Sequence, residues 1–267
     1  MSLSYQHIYH AGNPADIQKH LWALAVLSYL QKKDKPLFWC DTHAGRGLYD
    51  LTSPEAQKIK EYRAGIEKLI DKDIQHPLWN MLIDTIRKFN PKDRLSAYPG
   101  SAVLVAEHLR NEDRMECYDI HPQEFKHLEQ ALRPYQNVTA SQIRMEEGLF
   151  TYLPPKEKRG AVLIDPSYEI KKEYESIPKT IKRVRKKWPN ATYMIWYPML
   201  PQNRHESLKQ VCLDVDPDVL IDEWIYDDPK RDGFRGMYGT GMAVFNAPYS
   251  VPETIAELKN QILPLLR

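Results

Sequence analysis

The sequence predicts an α/β fold. It should be a Rossmann-like, doubly wound sheet of about seven strands, with an antiparallel final pair and a small helical insertion after the first strand. Three observations carry this. Short apolar runs alternate with longer helical stretches over most of the chain. The last two runs are joined by a loop alone, so they should pair as a hairpin. The stretch from 51 to 99 has helix-opening signals and no strand-like run.

The elements follow in order. "LWALAVLSYL" at 21–30, preceded by "NPADIQKH", reads as a buried helix opened by Asn13-Pro14. "PLFWCDTHAG" at 36–45 is the first strand, running into a glycine loop. The insertion, about 51–97, carries Ser53-Pro54 and His76-Pro77, both cap-and-N1 pairs. "AYPGSAVLVAEHL" opens a helix for which Ser101 is the expected N-cap. The next strands are "RMECYDIHP" at 114–122, a weaker "NVTASQIR" at 137–144, "GAVLIDPSY" at 160–168 and "ATYMIWYP" at 191–198. "DVLIDEWIYD" at 218–227 and "GMAVFNAP" at 241–248 close the sheet. We expect one domain over 1–267, with the insertion inside it.

Composition narrows the function classes. Among 267 residues, 37 Lys and Arg meet 36 Asp and Glu, for a net charge of +1. The protein is not a polycation, so nucleic-acid contact requires a local patch. Cys40, Cys117 and Cys212 lie too far apart for a metal knuckle or a disulfide framework, which suits a reducing cytosol. The apolar run at 21–30 is half the roughly 20 residues a membrane span needs, and no signal cleavage site follows. We expect a cytoplasmic protein without membrane contact.

Ligands of open α/β sheets bind at the carboxyl ends of the strands. Three such ends carry an aspartate: Asp41, Asp119 and Asp165. On neighbouring strands they would form one polar site. Gly45 and Gly47 of "DTHAGRG" permit close backbone approach, although the loop is neither a GxGxxG fingerprint nor a P-loop. Asp119 is placed to accept ribose hydroxyls or to cap the next helix. Ser101 offers a hydroxyl at a helix start. His7 and His10 have HxxH spacing, but no further ligands complete a metal set, so no metal is expected. "PKTIKRVRKKWP" at 178–189 holds six cations, a solvated face or a phosphate-tracking one. The loop at 227–241 joins Lys230, Arg231 and Arg235 to aromatics and glycines, which suits nucleic acid.

"DPSY" at 165–168 fits methyl transfer to an exocyclic amine, whose lone pair is delocalised into the ring. Asp165 and the carbonyl of Pro166 would grip the two N–H groups, while Tyr168 stacks on a flipped base. Asp165 could also take the proton.

The ordered set "YHAGNPADIQKH", "DTHAGRG", "YPGS", "DIHP", "LIDPSYE", "WYP" and "RGMYGTGMAVFNAP" resembles the J-type bacterial 23S ribosomal RNA adenine-N6 methyltransferases, a class I S-adenosylmethionine-dependent family. The likeness covers nearly the whole chain. It implies that S-adenosylmethionine is held by His20, His43, Ser101, Asp119, Glu147, Gly148 and Asp165, beside the Gly45 loop. S-adenosylhomocysteine is then the product. It implies Asp165 as catalytic acceptor and Tyr5 as a contact to the target adenosine. The partner implied is 23S rRNA, with a monomeric enzyme and no obligate protein partner. Ser167 departs from the family's second proline, which loosens the turn but keeps the carbonyl of Pro166. Competing readings are a DNA adenine-N6 methyltransferase, a catalytically weak donor- and RNA-binding protein, and a nicotinamide dehydrogenase, the last disfavoured by the missing GxGxxG.

Overall fold

The computed structural model describes residues 5–92, 94–231 and 234–267. After a 3-10 turn at His7–Tyr9, α1 (Pro14–Gln31) leads into β1 (Phe38–Asp41). β2 (Leu48–Asp50), α2 (Pro54–Ile59), α3 (Ile66–Leu69), α4 (Pro77–Lys88), β3 (Ala97–Pro99) and α5 (Ser101–Ala106) follow. The main sheet resumes with β4 (Arg114–Tyr118), α6 (Pro122–Leu132), β5 (Val138–Ser141), α7 (Met145–Tyr152) and β6 (Gly160–Ile164). α8 (Glu173–Lys187), β7 (Thr192–Met199), α9 (Arg204–Val215), β8 (Leu220–Ile225), β9 (Gly239–Phe245) and α10 (Val251–Leu266) complete it.

The seven-stranded sheet has the order β5-β4-β1-β6-β7-β9-β8. β1 pairs in parallel with both β4 and β6. The chain therefore leaves β1 toward one edge and later returns toward the other, which opens a crevice at the carboxyl ends of β1, β4 and β6. β9 inserts between β7 and β8 and is antiparallel to both. The expected hairpin is present, and its second strand also closes on the body of the sheet.

Side chains alternate between two cores, one on each face. Trp39, Leu163 and Met194 join a core with α1, α5 and α10. Phe38, Cys40, Val162, Ile164 and Ile195 join the other, with α7, α8 and α9. Burial on both faces is why the strands read as continuous apolar runs. In α1, residues 14–27 are all buried, including Asp16, Gln18, Lys19 and His20. A helix apolar on every side is a core helix. Its polar residues must therefore find partners inside the protein. Asn13 caps it, its Oδ1 accepting the Asp16 N–H at 2.9 Å.

The insertion differs in detail from its sequence reading. A short ribbon, β2 paired antiparallel with β3, brackets it. The run from Ser53 is not one helix. α2 ends at Lys60, in the left-handed region (φ +62°), and a 3-10 turn precedes α3. The break lets Gly65 press against the N-terminal segment, where any Cβ would lie 2.1 Å from the Gly12 carbonyl oxygen. Among the described residues, no helix is long and apolar enough to cross a membrane.

Candidate active site

The three strand-tip aspartates converge because β4, β1 and β6 are neighbours. Asp41 is fully buried and acts behind the site. It accepts the Ser101 hydroxyl at 2.6 Å and the His43 N–H at 3.3 Å. Burial pushes its carboxyl up to about 6, opposed by the Ser101 bond. Ser101 is the first residue of α5 and Gly100 is the N-cap, so the expected capping role of Ser101 is replaced by this bond to Asp41.

Asp119 is held by backbone. Its Oδ2 accepts the Gly45 N–H at 2.9 Å and its Oδ1 the His121 N–H at 2.8 Å. Burial drives it to about 6 against these two bonds. Gly45 has φ +58°, and a Cβ there would stand 2.1 Å from the Tyr49 hydroxyl, so only glycine fits the loop. His20 is buried, with its ring stacked on Tyr98 and its Nδ1 3.0 Å from the Tyr98 hydroxyl. Its Nε2 meets no partner among the described residues, and burial lowers its pKa to about 3, so the ring is neutral. Burial likewise lowers His43 to about 4. His20, His43, Gly45, Ser101, Asp119 and Asp165 all line one cavity of ≈ 750 Å³.

Asp165 follows β6 and faces a residue that motif reading passed over. Lys19 Nζ lies 2.5 Å from Asp165 Oδ2 and 2.7 Å from Asp16 Oδ1. Asp16 also accepts from His7 Nε2 at 2.9 Å and from the Gly12 N–H at 2.8 Å. His7 Nδ1 meets the Tyr5 hydroxyl at 2.9 Å. A chain of contacts thus runs Tyr5–His7–Asp16–Lys19–Asp165. Burial disfavours the Lys19 cation, but the two carboxylates outweigh it and hold its pKa above the usual lysine value. Asp16 stays well below the usual carboxylate range: burial opposes this, and His7 and Lys19 overcome it. The available signal was a lysine and an aspartate at i, i+3 in the opening turns of a buried helix; buried charges need partners.

A second cavity of ≈ 850 Å³ adjoins the first and shares Asp165 with it. Tyr5, Lys19, Asp165 and Ser167 line both cavities, while Trp196 and Arg235 line only the second. Asp165 therefore lines two adjoining chambers.

Three expectations change. Tyr168 does not face either chamber. It is 7% exposed with φ +55°, packs on Tyr174 at 4.3 Å between centroids, and donates its hydroxyl to the Trp196 carbonyl at 2.6 Å. That burial turns the expected stacking platform into a strut, and Trp196 is the indole on the second chamber. Pro166, next to Asp165 in the chain, is buried. Glu147 is exposed and lines neither chamber, and Gly148 packs on Tyr118, where a Cβ would be 2.4 Å from the ring. Their helical neighbour Glu146 instead lines a groove with His43, Asp119 and Ser167. In the hairpin loop, Arg235 lines the second chamber. Lys230 is exposed, and Arg231 pairs with Asp227 at 3.3 Å and covers the Phe234 ring. Asp232 and Gly233 lie outside the described residues.

The basic run falls in the second half of α8. That helix begins at Glu173, beside the groove, and carries its last turn about 20 Å away. There Arg183 and Lys187 cover Phe150, Arg185 pairs with Asp216, and Trp188 is buried against Phe38. His7 and His10 go to different carboxylates, Asp16 and Glu61.

A seven-stranded sheet of this order, with a cleft at the tips of β1, β4 and β6, is a Rossmann-like fold of the kind class I methyltransferases share. Over residues 34–266 the sequence matches the family described as Ribosomal RNA large subunit methyltransferase D, RlmJ, and the chain belongs to that family. It is 35% identical over 266 residues to the Ribosomal RNA large subunit methyltransferase J of Haemophilus influenzae, covering 99% of this chain and 92% of the relative. The Escherichia coli protein of the same name is 31% identical over 272 residues, with the same coverages. A crystal structure of the Legionella pneumophila protein LPL1258 superposes with a TM-score of 0.89 at 33% identity, covering 96% of this chain and 94% of that one.

Proposed function

We propose that this protein transfers a methyl group from S-adenosylmethionine to the N6 amine of an adenine in 23S ribosomal RNA, acting in the cytoplasm as a monomer. The observation that carries the reading is that Asp165 lines two adjoining chambers, one walled by strand tips and one by Trp196 and Arg235, with Tyr5 on both. The relatives are named as methyltransferases of large-subunit ribosomal RNA, which supports an RNA substrate of that subunit.

The first chamber suits the donor. The open Nε2 of His20 and the remaining lone pairs of Asp119 are unspent polar capacity in a buried cleft. Asp119 would accept the ribose hydroxyls, with His43, Gly45 and Ser101 around it. Bound there, the donor supplies an electrophilic methyl on a sulfonium centre.

The second chamber receives the base. Lys19 holds Oδ2 of Asp165, which leaves Oδ1 to accept one amine N–H. The carbonyl of Pro166 accepts the other. Gripping both hydrogens draws the nitrogen toward tetrahedral geometry and aims its lone pair. Trp196 and Tyr5 offer rings to the flipped base, and Arg235 faces its phosphate. The proton lost from nitrogen passes to Asp165 or to water. Tyr168 positions the loop through its bond to Trp196.

The test mixes protein, labelled donor and 23S rRNA from a strain lacking the modification, with duplex DNA in parallel. Label in N6-methyladenine of the RNA, lost with Asp165→Ala, is the expected result. Label only in DNA, or undiminished label in the variant, overturns the proposal.

A further inference from the structure

The helical insertion reaches the second chamber through one side chain. Glu61, in the 3-10 turn between α2 and α3, places Oε1 2.9 Å from His10 Nδ1 and Oε2 2.9 Å from Asn13 Nδ2. Its two partners have separate jobs. The His10 ring lies parallel to Tyr5, 5.7 Å between centroids at 7°. Asn13 caps α1, the helix carrying Asp16, Lys19 and His20. Tyr5, His10 and Glu61 all line the second chamber.

The backbone around Glu61 has little slack. Ile66 N–H donates to the Gly12 carbonyl at 2.9 Å, and Gly65 has no room for a Cβ beside that oxygen. Gly12 itself has φ +78°. The insertion is therefore docked on the N-terminal segment between His10 and Asn13, and Glu61 is the charged group at that seam. Asp16 is the other carboxylate facing His10.

Resting on the function proposed above, we infer that Glu61 is a positioning residue for the methyl-accepting base. It sets the plane of His10 and through it the Tyr5 ring, while its second oxygen holds the cap of α1. Glu61 touches no reacting atom. Its effect belongs to acceptor geometry and to kcat, not to the donor chamber.

The experiment compares wild type, Glu61→Ala, Glu61→Gln, Tyr5→Ala and the Glu61→Ala/Tyr5→Ala double variant. Thermal unfolding first establishes that each folds. We expect Glu61→Ala to lower kcat about tenfold, since small misplacements of a reacting group are costly, with donor affinity kept within about threefold. Glu61→Gln, which can keep one of the two bonds, should fall between. The double variant should lose clearly less than the product of the two single losses, because the branch through His10 acts in series with Tyr5. A merely structural brace would instead multiply the losses. In the same proteins without RNA, amide exchange across residues 5–12 should speed up in Glu61→Ala. A rate within about twofold of wild type, multiplying losses, or unchanged exchange at 5–12 overturns the inference. If wild type methylates no RNA, the function reading fails, and the exchange measurement alone still decides whether Glu61 orders the segment.

Discussion

The strand-tip wall and the N-terminal wall of the cleft hold their polar groups by different means. Along the strand tips, backbone does much of the work: Asp119 is gripped by two N–H groups, from Gly45 and His121. On the opposite wall, side chain holds side chain through Tyr5, His7, Asp16, Lys19 and Asp165. The first arrangement is fixed by the sheet and survives loss of a neighbour. The second is a string of polar groups around the buried Asp16–Lys19 ion pair, each satisfied by the next, so removing one leaves another unpaired. Asp165 belongs to both walls, which is why the proposed chemistry is placed on it.

Mutations can break this contrast, and the largest effect should come at the shared residue. Asp165→Ala should lower the methylation rate by about 10³-fold while donor affinity, measured by calorimetry, changes little. A parallel collapse of donor binding would show that Asp165 serves the donor and not the acceptor amine. Next, Lys19→Met should destabilise the fold by about 3 kcal/mol in denaturant titrations, because it takes the ammonium from the buried carboxylate of Asp16 and the half-buried one of Asp165. A fully stable Lys19→Met would show that water replaces the ammonium and that the wall is not a linked string. On the other wall, Asp119→Ala should weaken donor binding about 30-fold, the size of a charged hydrogen-bond pair, with its melting temperature nearly kept. Equal donor affinity in Asp119→Ala and wild type would remove its ribose role.

A pH series sharpens the same point. Asp119 titrates near 6 in the folded protein, so its carboxylate form is present above that value and lost as pH falls through it. Donor affinity should therefore drop about tenfold from pH 8 to pH 5. Asp41, also near 6, contributes through Ser101, so Asp119→Ala should shrink the dependence without abolishing it. A flat profile in wild type argues that neither carboxylate meets the donor. The smallest effect is expected at Ser167, which lines both chambers but holds neither N–H acceptor. Ser167→Pro should leave kcat within about threefold of wild type.

The residues legible beforehand were those whose job is local. A glycine forced to positive φ, an aspartate at the end of an apolar run and a proline after it announce themselves by neighbours in the chain. Gly45, Asp119 and Asp165 were found that way. Lys19 was passed over because it lies in the polar opening of its helix, beside Asp16, Gln18 and His20, and its partner Asp165 lies 146 residues away in sequence. Ser101 was misread for a related reason. Its sequence neighbours suit a cap, but its hydroxyl is taken by Asp41 across 60 residues. Tyr168 had the right spacing for a stacking ring, and the packing of Tyr174 and the Trp196 carbonyl drew it inward.

Sequence by itself determined the alternation of strands and helices, the antiparallel end of the sheet, the insertion, and the carboxylates at the strand tips. These follow from periodicity and turn chemistry, which act over a few residues. Only the tertiary structure decided that Lys19 joins Asp16 to Asp165, that Trp196 and not Tyr168 faces the second chamber, and that Glu61 ties the insertion to His10 and Asn13. Those are choices of partner for buried polar groups, and a buried group's partner is whatever the fold carries within about 3 Å of it, however distant along the chain.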